Sequence, residues 1–240
     1  MRNAMLGVRS CLFMTAFFIN TALFCAVACW ILLFPERYVF SHARLWSRTT
    51  AFLLKCIMGI TVRVRGLKNI PRGPALIAMR HESTWETVVM FLYLERFVFV
   101  LKKELLWIPF FGGFLKKLRC ISVGRRGKES GFRAFLTQGQ VLLKKGYNIL
   151  IFPEGTRMTP GELRPLHSGF SVLYEKAHVP VVPAVLNSGR FWPRRCFYKH
   201  PGTITLQFLP AILPGMPRAQ FLSHFEKVFT EAYQKLERKN

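Results

Sequence analysis

Asn148-Ile149-Leu150-Ile151-Phe152 is a short apolar run that breaks at Pro153 into Glu154-Gly155-Thr156-Arg157. An apolar run of this length, closed by turn residues, reads as a strand buried on both faces of a largely parallel sheet. Six further stretches read the same way. Residues 61–66 alternate with period two, as a half-buried strand does, and residues 75–79, 97–101, 120–123, 179–185 and 203–209 are apolar and of strand length. Residues 179–185 hold Pro180 and Pro183, which suggests an edge strand or a bulge and a wall for an apolar ligand. Helical patterns fall between them at 84–94, 128–145, 168–178 and 218–239. The last carries Phe221, Phe225, Val228, Phe229, Ala232 and Leu236 on one face. Strands alternating with helices predict an α/β fold: a mixed, mostly buried sheet flanked by helices.

The loop after residue 152 is the first candidate site. Gly155 lets the backbone approach a ligand, and Arg157 can donate two parallel hydrogen bonds to a phosphate. An ordinary turn with a surface salt bridge fits the same residues. The second candidate is His81-Glu82-Ser83-Thr84-Trp85-Glu86. The strand at 75–79 runs through Arg80 into His81, and a helix follows. His81 thus stands at the carboxyl end of a strand, where α/β folds hold reacting groups. Glu86 is five residues on, so the two side chains meet only if His81 precedes the helix and the chain turns back. Ser83-x-x-Glu86 also fits a capping box, with His81 a satisfied turn residue. A third feature is Ile121-Ser122-Val123-Gly124-Arg125-Arg126, which sets two guanidinium groups at a strand end; a solvated basic edge is the plain alternative. No Walker loop, GxGxxG or GxSxG occurs, which removes the usual markers of nucleotide binding and acyl-serine hydrolysis.

Composition narrows the choice. The 240 residues carry a formal net charge of +23, which calls for an anionic partner: nucleic acid, an anionic membrane surface, or acidic substrates and carrier proteins. All 12 acidic residues are Glu, so any carboxylate chemistry must use Glu, and enzymes built on several Asp metal ligands are disfavoured. The 6 Cys show neither CxxC nor zinc-ligand spacing, so neither a disulfide framework nor a metal site is expected. From Cys11 to Phe34 no side chain is charged. As helix this run is about 36 Å long, enough for a hydrocarbon core of about 30 Å. A cleaved signal peptide would be shorter and would show a small-x-small site. The positive excess follows the run, which puts the remainder on the cytoplasmic side. Residues 41–60 mix Trp46, Phe52, Leu53 and Ile57 with Arg44, Arg48 and Lys55, as an interfacial amphipathic helix does. Residues 1–60 are therefore expected to form a membrane helix or hairpin, and residues 61–240 a catalytic domain.

His81…Glu86, Ile121…Arg125, Phe152–Arg157 and Val179–Pro183, in this order, resemble the four motifs of the glycerophosphate acyltransferase family, most closely its bacterial 1-acyl-sn-glycerol-3-phosphate acyltransferases. The resemblance runs from about Arg65 to Pro183. Lys102-Lys103-Glu104-Leu105 with Ile108-Pro109 looks like the family's segment between its first two motifs. Two departures stand out: Glu86 replaces the usual Asp, and Gly124 replaces an acidic residue. The resemblance implies direct transfer of a fatty acyl group from acyl-CoA or acyl-carrier protein to the sn-2 hydroxyl of a lysophosphatidic acid. His81 would act as base and Glu86 would orient it, with Asp expected to serve there too. Lys103, Arg125 and Arg157 would hold the acceptor phosphate, in a loop shaped by Glu154, Gly155 and Thr156. Neither metal nor cofactor is implied, and the bacterial inner membrane is the expected location. A related enzyme acting on another lysolipid, such as a lyso-ornithine lipid, shares these motifs. A membrane-tethered nucleic-acid binder would explain the charge but not the ordered motifs, so no nucleic acid is expected as partner.

Overall fold

The chain is described here by a computed structural model covering residues 2–109, 111–124 and 129–238. Each apolar run read as a strand forms one: β1 (Ile60–Arg65), β2 (Leu76–Met79), β3 (Phe97–Lys102), β4 (Ile121–Val123), β5 (Asn148–Ile151), β6 (Val181–Leu186) and β7 (Gly202–Phe208). They make one mixed sheet in the order β1-β7-β6-β2-β5-β3-β4. β6, β2, β5, β3 and β4 are parallel, while β7 pairs antiparallel with β6 and carries β1 parallel at the edge. The loops after the five parallel strands therefore leave from one edge of the sheet, which is where ligands bind in such folds.

The helices are α1 (Arg2–Ile31), α2 (Glu36–Leu53), α3 (Trp85–Val89), α4 (Phe111–Lys117), α5 (Glu129–Lys144), α6 (Gly169–Ala177), α7 (Ser188–Phe191) and α8 (Arg218–Arg238). Successive side chains of a strand point to opposite faces, and both faces here are covered. Leu76 and Ala78 join Ile149 and Val181 in a core shared with Phe135 of α5, Leu173 of α6 and Phe225 of α8. Ile77 and Met79 join Leu150 and Val182 in a second core with Val39 and Ala43 of α2 and with Trp85. Each such burial stabilises the fold by about 1.5–3 kcal/mol, so the strands are held from two sides.

The chemistry of the sequence divides near residue 60, but the core does not, since Val39, Ala43, Leu54 and Met58 pack with Ile77 and Trp85. α1 docks along much of its length. Arg9 Nε donates to Ile57 O (2.6 Å), Lys199 N–H donates to Ser10 Oγ (3.0 Å), and Phe13 meets Trp192 edge-on. Further along, Asn20 Nδ2 donates to Thr50 Oγ1 and Trp46 Nε1 to Thr21 Oγ1, so α1 and α2 form a packed hairpin. The opposite face of α1 exposes Leu12, Phe18, Ile19, Leu23, Val27 and Trp30.

Three expectations need correction. β6 is not an edge strand: it lies between β7 and β2 and is wholly buried. Opposite Pro183, Leu209 N–H donates to Pro183 O (2.8 Å) with no return bond from the proline, and beyond it the partner chain gains one residue before Ile212 pairs with Val181, so Pro183 sits at a bulge in the pairing. The helix read at 84–94 is α3 followed by a 3-10 turn, Met90–Leu92. β1 is less than half-buried, with Val62 36% exposed, because it has a neighbour on one side only.

Candidate active site

β2 delivers Arg80 and His81 to the carboxyl edge of the sheet, and β5, its neighbour, delivers Phe152–Arg157. The chain bends sharply after His81 before α3 begins, which brings Glu86 back under it. His81 Nδ1 lies 2.8 Å from Glu86 Oε1. A carboxylate only accepts, so Nδ1 carries the proton and Nε2 is left with its lone pair. Glu86 is 0% exposed and fully engaged: Oε1 also accepts from the N–H groups of Glu82 (2.6 Å) and Ser83 (2.7 Å), and Oε2 accepts from Ser188 Oγ (2.9 Å). The two readings of Glu86 hold together, since the same oxygen that caps the turn also orients the imidazole. The ring of His81 stacks on Phe152 (centroids 4.0 Å apart, 18° between planes), which fixes its second axis. Its side chain stays 14% exposed, so the edge bearing Nε2 can be reached.

Beneath this pair lies a buried ionic cluster. Arg80 donates through Nε to Glu82 Oε1 (2.7 Å), through Nη1 to Glu154 Oε1 (2.9 Å) and through Nη2 to Glu162 O (2.7 Å), while its guanidinium stacks 3.5 Å above the ring of Tyr233 in α8. Glu154 Oε2 accepts the backbone N–H of His81 (2.9 Å), and Glu82 Oε2 accepts that of Gly189 (3.0 Å). Two carboxylates share one guanidinium here. Burial pushes the Glu154 carboxyl up to about 8 against the pull of Arg80, and it raises Glu82 as well. Glu154, grouped with the binding residues on sequence grounds, is buried here, with one oxygen on the Arg80 side chain and the other on the backbone N–H of His81.

The rest of the loop faces outward. Gly155 has φ 64, and a Cβ there would come within 2.6 Å of the His167 ring, so both conformation and space require glycine. Thr156 and Arg157 are half-buried. Burial lowers the Arg157 guanidinium; the charge of Glu86 opposes that shift and the charge of Arg194 adds to it. Arg157 therefore sits within electrostatic reach of both the His81–Glu86 pair and Arg194. Lys103 lies exposed in the 3-10 turn Lys103–Trp107 after β3, at the same sheet edge, and among the described residues no hydrogen bond or ion pair joins it to the pair. Arg125 falls outside the described residues. Sequence reasoning missed Arg80, Glu82, Ser188 and Tyr233. Arg80, Glu82 and Ser188 are marked only by adjacency to His81 or to the end of a neighbouring strand, and Tyr233, within α8, only by lying on its buried face.

The acyltransferase family model matches residues 61–187. A 1-acyl-sn-glycerol-3-phosphate acyltransferase of Pseudomonas aeruginosa is 40% identical over 182 residues, which are 76% of this chain and 70% of that protein. One from Limnanthes douglasii is 28% identical over 184 residues, 76% of this chain and 66% of that protein. The crystal structure of the 1-acyl-sn-glycerophosphate (LPA) acyltransferase PlsC from Thermotoga maritima matches with a TM-score of 0.79 over 97% of this chain and 98% of that one, at 19% identity, a likeness of fold. The chain belongs to the acyltransferase family.

Proposed function

We propose that this enzyme is a membrane-bound 1-acyl-sn-glycerol-3-phosphate O-acyltransferase, which moves a fatty acyl group from an acyl thioester of coenzyme A or acyl-carrier protein to the sn-2 hydroxyl of lysophosphatidic acid. The observation that carries this is His81 locked by Glu86 and Phe152, with no hydrogen bond to Nε2 among the described residues and with the Arg157 loop tied to it where Met158 N–H donates to His81 O (2.6 Å). Nε2 takes the proton of the acceptor hydroxyl as its oxygen attacks the thioester carbonyl. The new C–O bond forms, the C–S bond breaks, and the proton passes from His81 to the departing thiolate. Glu86 keeps Nδ1 protonated and stabilises the imidazolium between these steps. Arg157 binds the acceptor phosphate, with Thr156 beside it; Lys103, exposed after β3, can extend the basic rim, a role that the motif resemblance also gives to Arg125. The transfer needs neither metal nor organic cofactor.

Substrates with fatty chains call for a site at the bilayer. α1 is apolar on all sides and long enough to cross a membrane, but one flank is committed to the domain from Arg9 to Asn20. A helix so docked fits a hairpin lying in one leaflet, with Leu12, Ile19, Leu23 and Trp30 in lipid, better than a spanning segment. The net charge of +23 suits a cytoplasmic, anionic membrane surface and an acidic carrier protein. Thiol release from acyl-CoA and from acyl-carrier protein, with lysophosphatidic acid or a lyso-aminolipid as acceptor, tests the reading. Acylation of the aminolipid but not of lysophosphatidic acid overturns the substrate assignment.

A further inference from the structure

Arg194 lies outside all four motifs, yet its Nη1 donates to the backbone carbonyl of Arg157 at 2.7 Å. Burial is the main cause that lowers the Arg157 guanidinium, and the like charge of Arg194 adds a smaller push in the same direction. Among the described residues no carboxylate pairs with either side chain. Like charges held together in this way mark a place where an anion of more than one charge is expected.

The segment that carries Arg194 is built to hold it. Trp192 is buried against Phe13 and Phe17 of α1, with ring centroids 5.3 and 5.5 Å apart. Pro193 follows it, and Arg195 stands at φ 54, a left-handed conformation costly for a residue with a side chain. On the far side Lys199, itself buried, turns its ammonium back onto the carbonyls of Cys196 (2.6 Å) and Phe197 (2.9 Å). Both ends are pinned while Arg194 itself stays exposed. One of its five donors is spent on Arg157 O, and among the described residues the others meet no partner.

We infer that Arg194 is a specificity-determining binding residue, which together with Arg157 selects an acceptor bearing a phosphomonoester dianion over one bearing a phosphodiester monoanion. This rests on the proposed function and adds a residue and a charge rule to it. A single guanidinium neutralises a monoanion, whereas two facing one phosphate match its dianion, so the second arginine contributes most to the doubly charged headgroup.

The test uses the full chain in detergent micelles, with acyl-CoA as donor and chain-matched lysophosphatidic acid and lysophosphatidylglycerol as acceptors. Arg194→Gln is expected to raise KM for lysophosphatidic acid roughly tenfold to a hundredfold, the loss of one charged hydrogen bond. Its kcat and donor KM should stay within about threefold, a change equivalent to less than one charged hydrogen bond, and Arg194→Lys should recover part of the loss. The wild-type preference for lysophosphatidic acid should grow as pH rises through the second phosphate ionisation, near 6, and Arg194→Gln should lose that rise. A purely structural role for Arg194 would lower kcat and thermal stability and leave the pH-dependent preference intact; that result, or an unchanged KM, overturns the inference alone. A wild type unable to use lysophosphatidic acid overturns the proposed function first and this inference with it.

Discussion

Replacing Glu86 by Gln isolates the charge of the buried carboxylate from its shape. Glu86 accepts four hydrogen bonds, three on Oε1 and one on Oε2. An amide can keep all four sites occupied: its oxygen takes the place of Oε1, and its NH2 donates to Ser188 Oγ, whose hydroxyl can rotate to accept. The tautomer of His81 is then unchanged and the fold should be nearly as stable. What disappears is the attraction between Glu86 and the imidazolium formed during transfer. Two unit charges about 4 Å apart attract by about 4 kcal/mol at the effective dielectric of a partly exposed site. The two backbone donors on Oε1 already draw on the same carboxylate, so about 3–4 kcal/mol is a fair share for His81, with each 1.36 kcal/mol worth tenfold in rate. The expected loss is about 10²–10³ in kcat, within the range of general-base catalysis as a whole. Thiol release at saturating acceptor measures it, with thermal unfolding as the control. A fall of less than about fivefold in a folded Glu86→Gln protein would refute the base assignment, because the carboxylate charge would then have no imidazolium to stabilise. Glu86→Asp is a harsher change than the sequence alone implied. Shortened by about 1.5 Å, the carboxylate cannot serve both the His81 turn and Ser188.

Arg157→Ala should raise KM for lysophosphatidic acid by about tenfold or more, as loss of a charged hydrogen bond does, and leave the donor KM unchanged; a change confined to the donor KM contradicts its placement on the acceptor. Gly155→Ala should lower stability by about 1–2 kcal/mol and weaken acceptor binding, since the new methyl meets His167 at a left-handed position; a variant with wild-type melting and KM defeats that reading. The Glu154 carboxyl, raised by burial from 4.5 to about 8, keeps a proton in the folded state that the unfolded chain releases. The folded value is the higher one, so the stability contributed is complete below about 4.5 and is lost as pH rises towards about 8. Thermal midpoints should therefore fall across that window. Glu154→Gln should flatten the slope even where its amide, facing an N–H donor on either side, lowers the midpoint. A wild-type midpoint that climbs with pH from 5 to 8 refutes the raised Glu154 carboxyl.

The sheet was legible because buried strands leave a plain mark: apolar runs such as Leu76–Met79 and Asn148–Ile151, closed by turn residues. α4 was not, because Phe111-Gly112-Gly113 argues against a helix; the turn forms because Gly112 lets the chain close on the Leu106 carbonyl, which a Cβ would strike at 2.1 Å. Of the two readings the prolines offered at β6, the edge fails and the bulge fits, since the pairing slips by one residue between Ala184–Phe208 and Val181–Ile212. In the site, His81 and Glu86 were legible from their spacing together with the strand before them. Ser188 was not, because nothing in the sequence says that β6 ends beside β2. Arg194 stands in none of the four motifs, and its value depends on a fold that carries its loop to Arg157.

Strand order also explains why the lipid-facing helix and the base cannot be independent parts. Ser188, which donates to Glu86, begins α7, and Trp192, which meets Phe13 of α1, ends it, with Trp192 N–H donating to Ser188 O at 2.8 Å. One helical turn, about 6 Å long, thus separates the catalytic carboxylate from the surface of α1. Any shift of α1 large enough to release Phe13 must move Trp192, and through this turn the hydroxyl that holds Glu86. The same segment continues to Arg194 and is fastened to α1 again where Lys199 N–H meets Ser10 Oγ. The proposed base, the proposed phosphate grip and α1 are therefore all tied to one short stretch of backbone, residues 188–199. An acceptor whose alcohol lies a few bonds from its phosphate, and whose chain remains in the bilayer, needs its three binding points held at fixed spacing, and this stretch supplies that spacing.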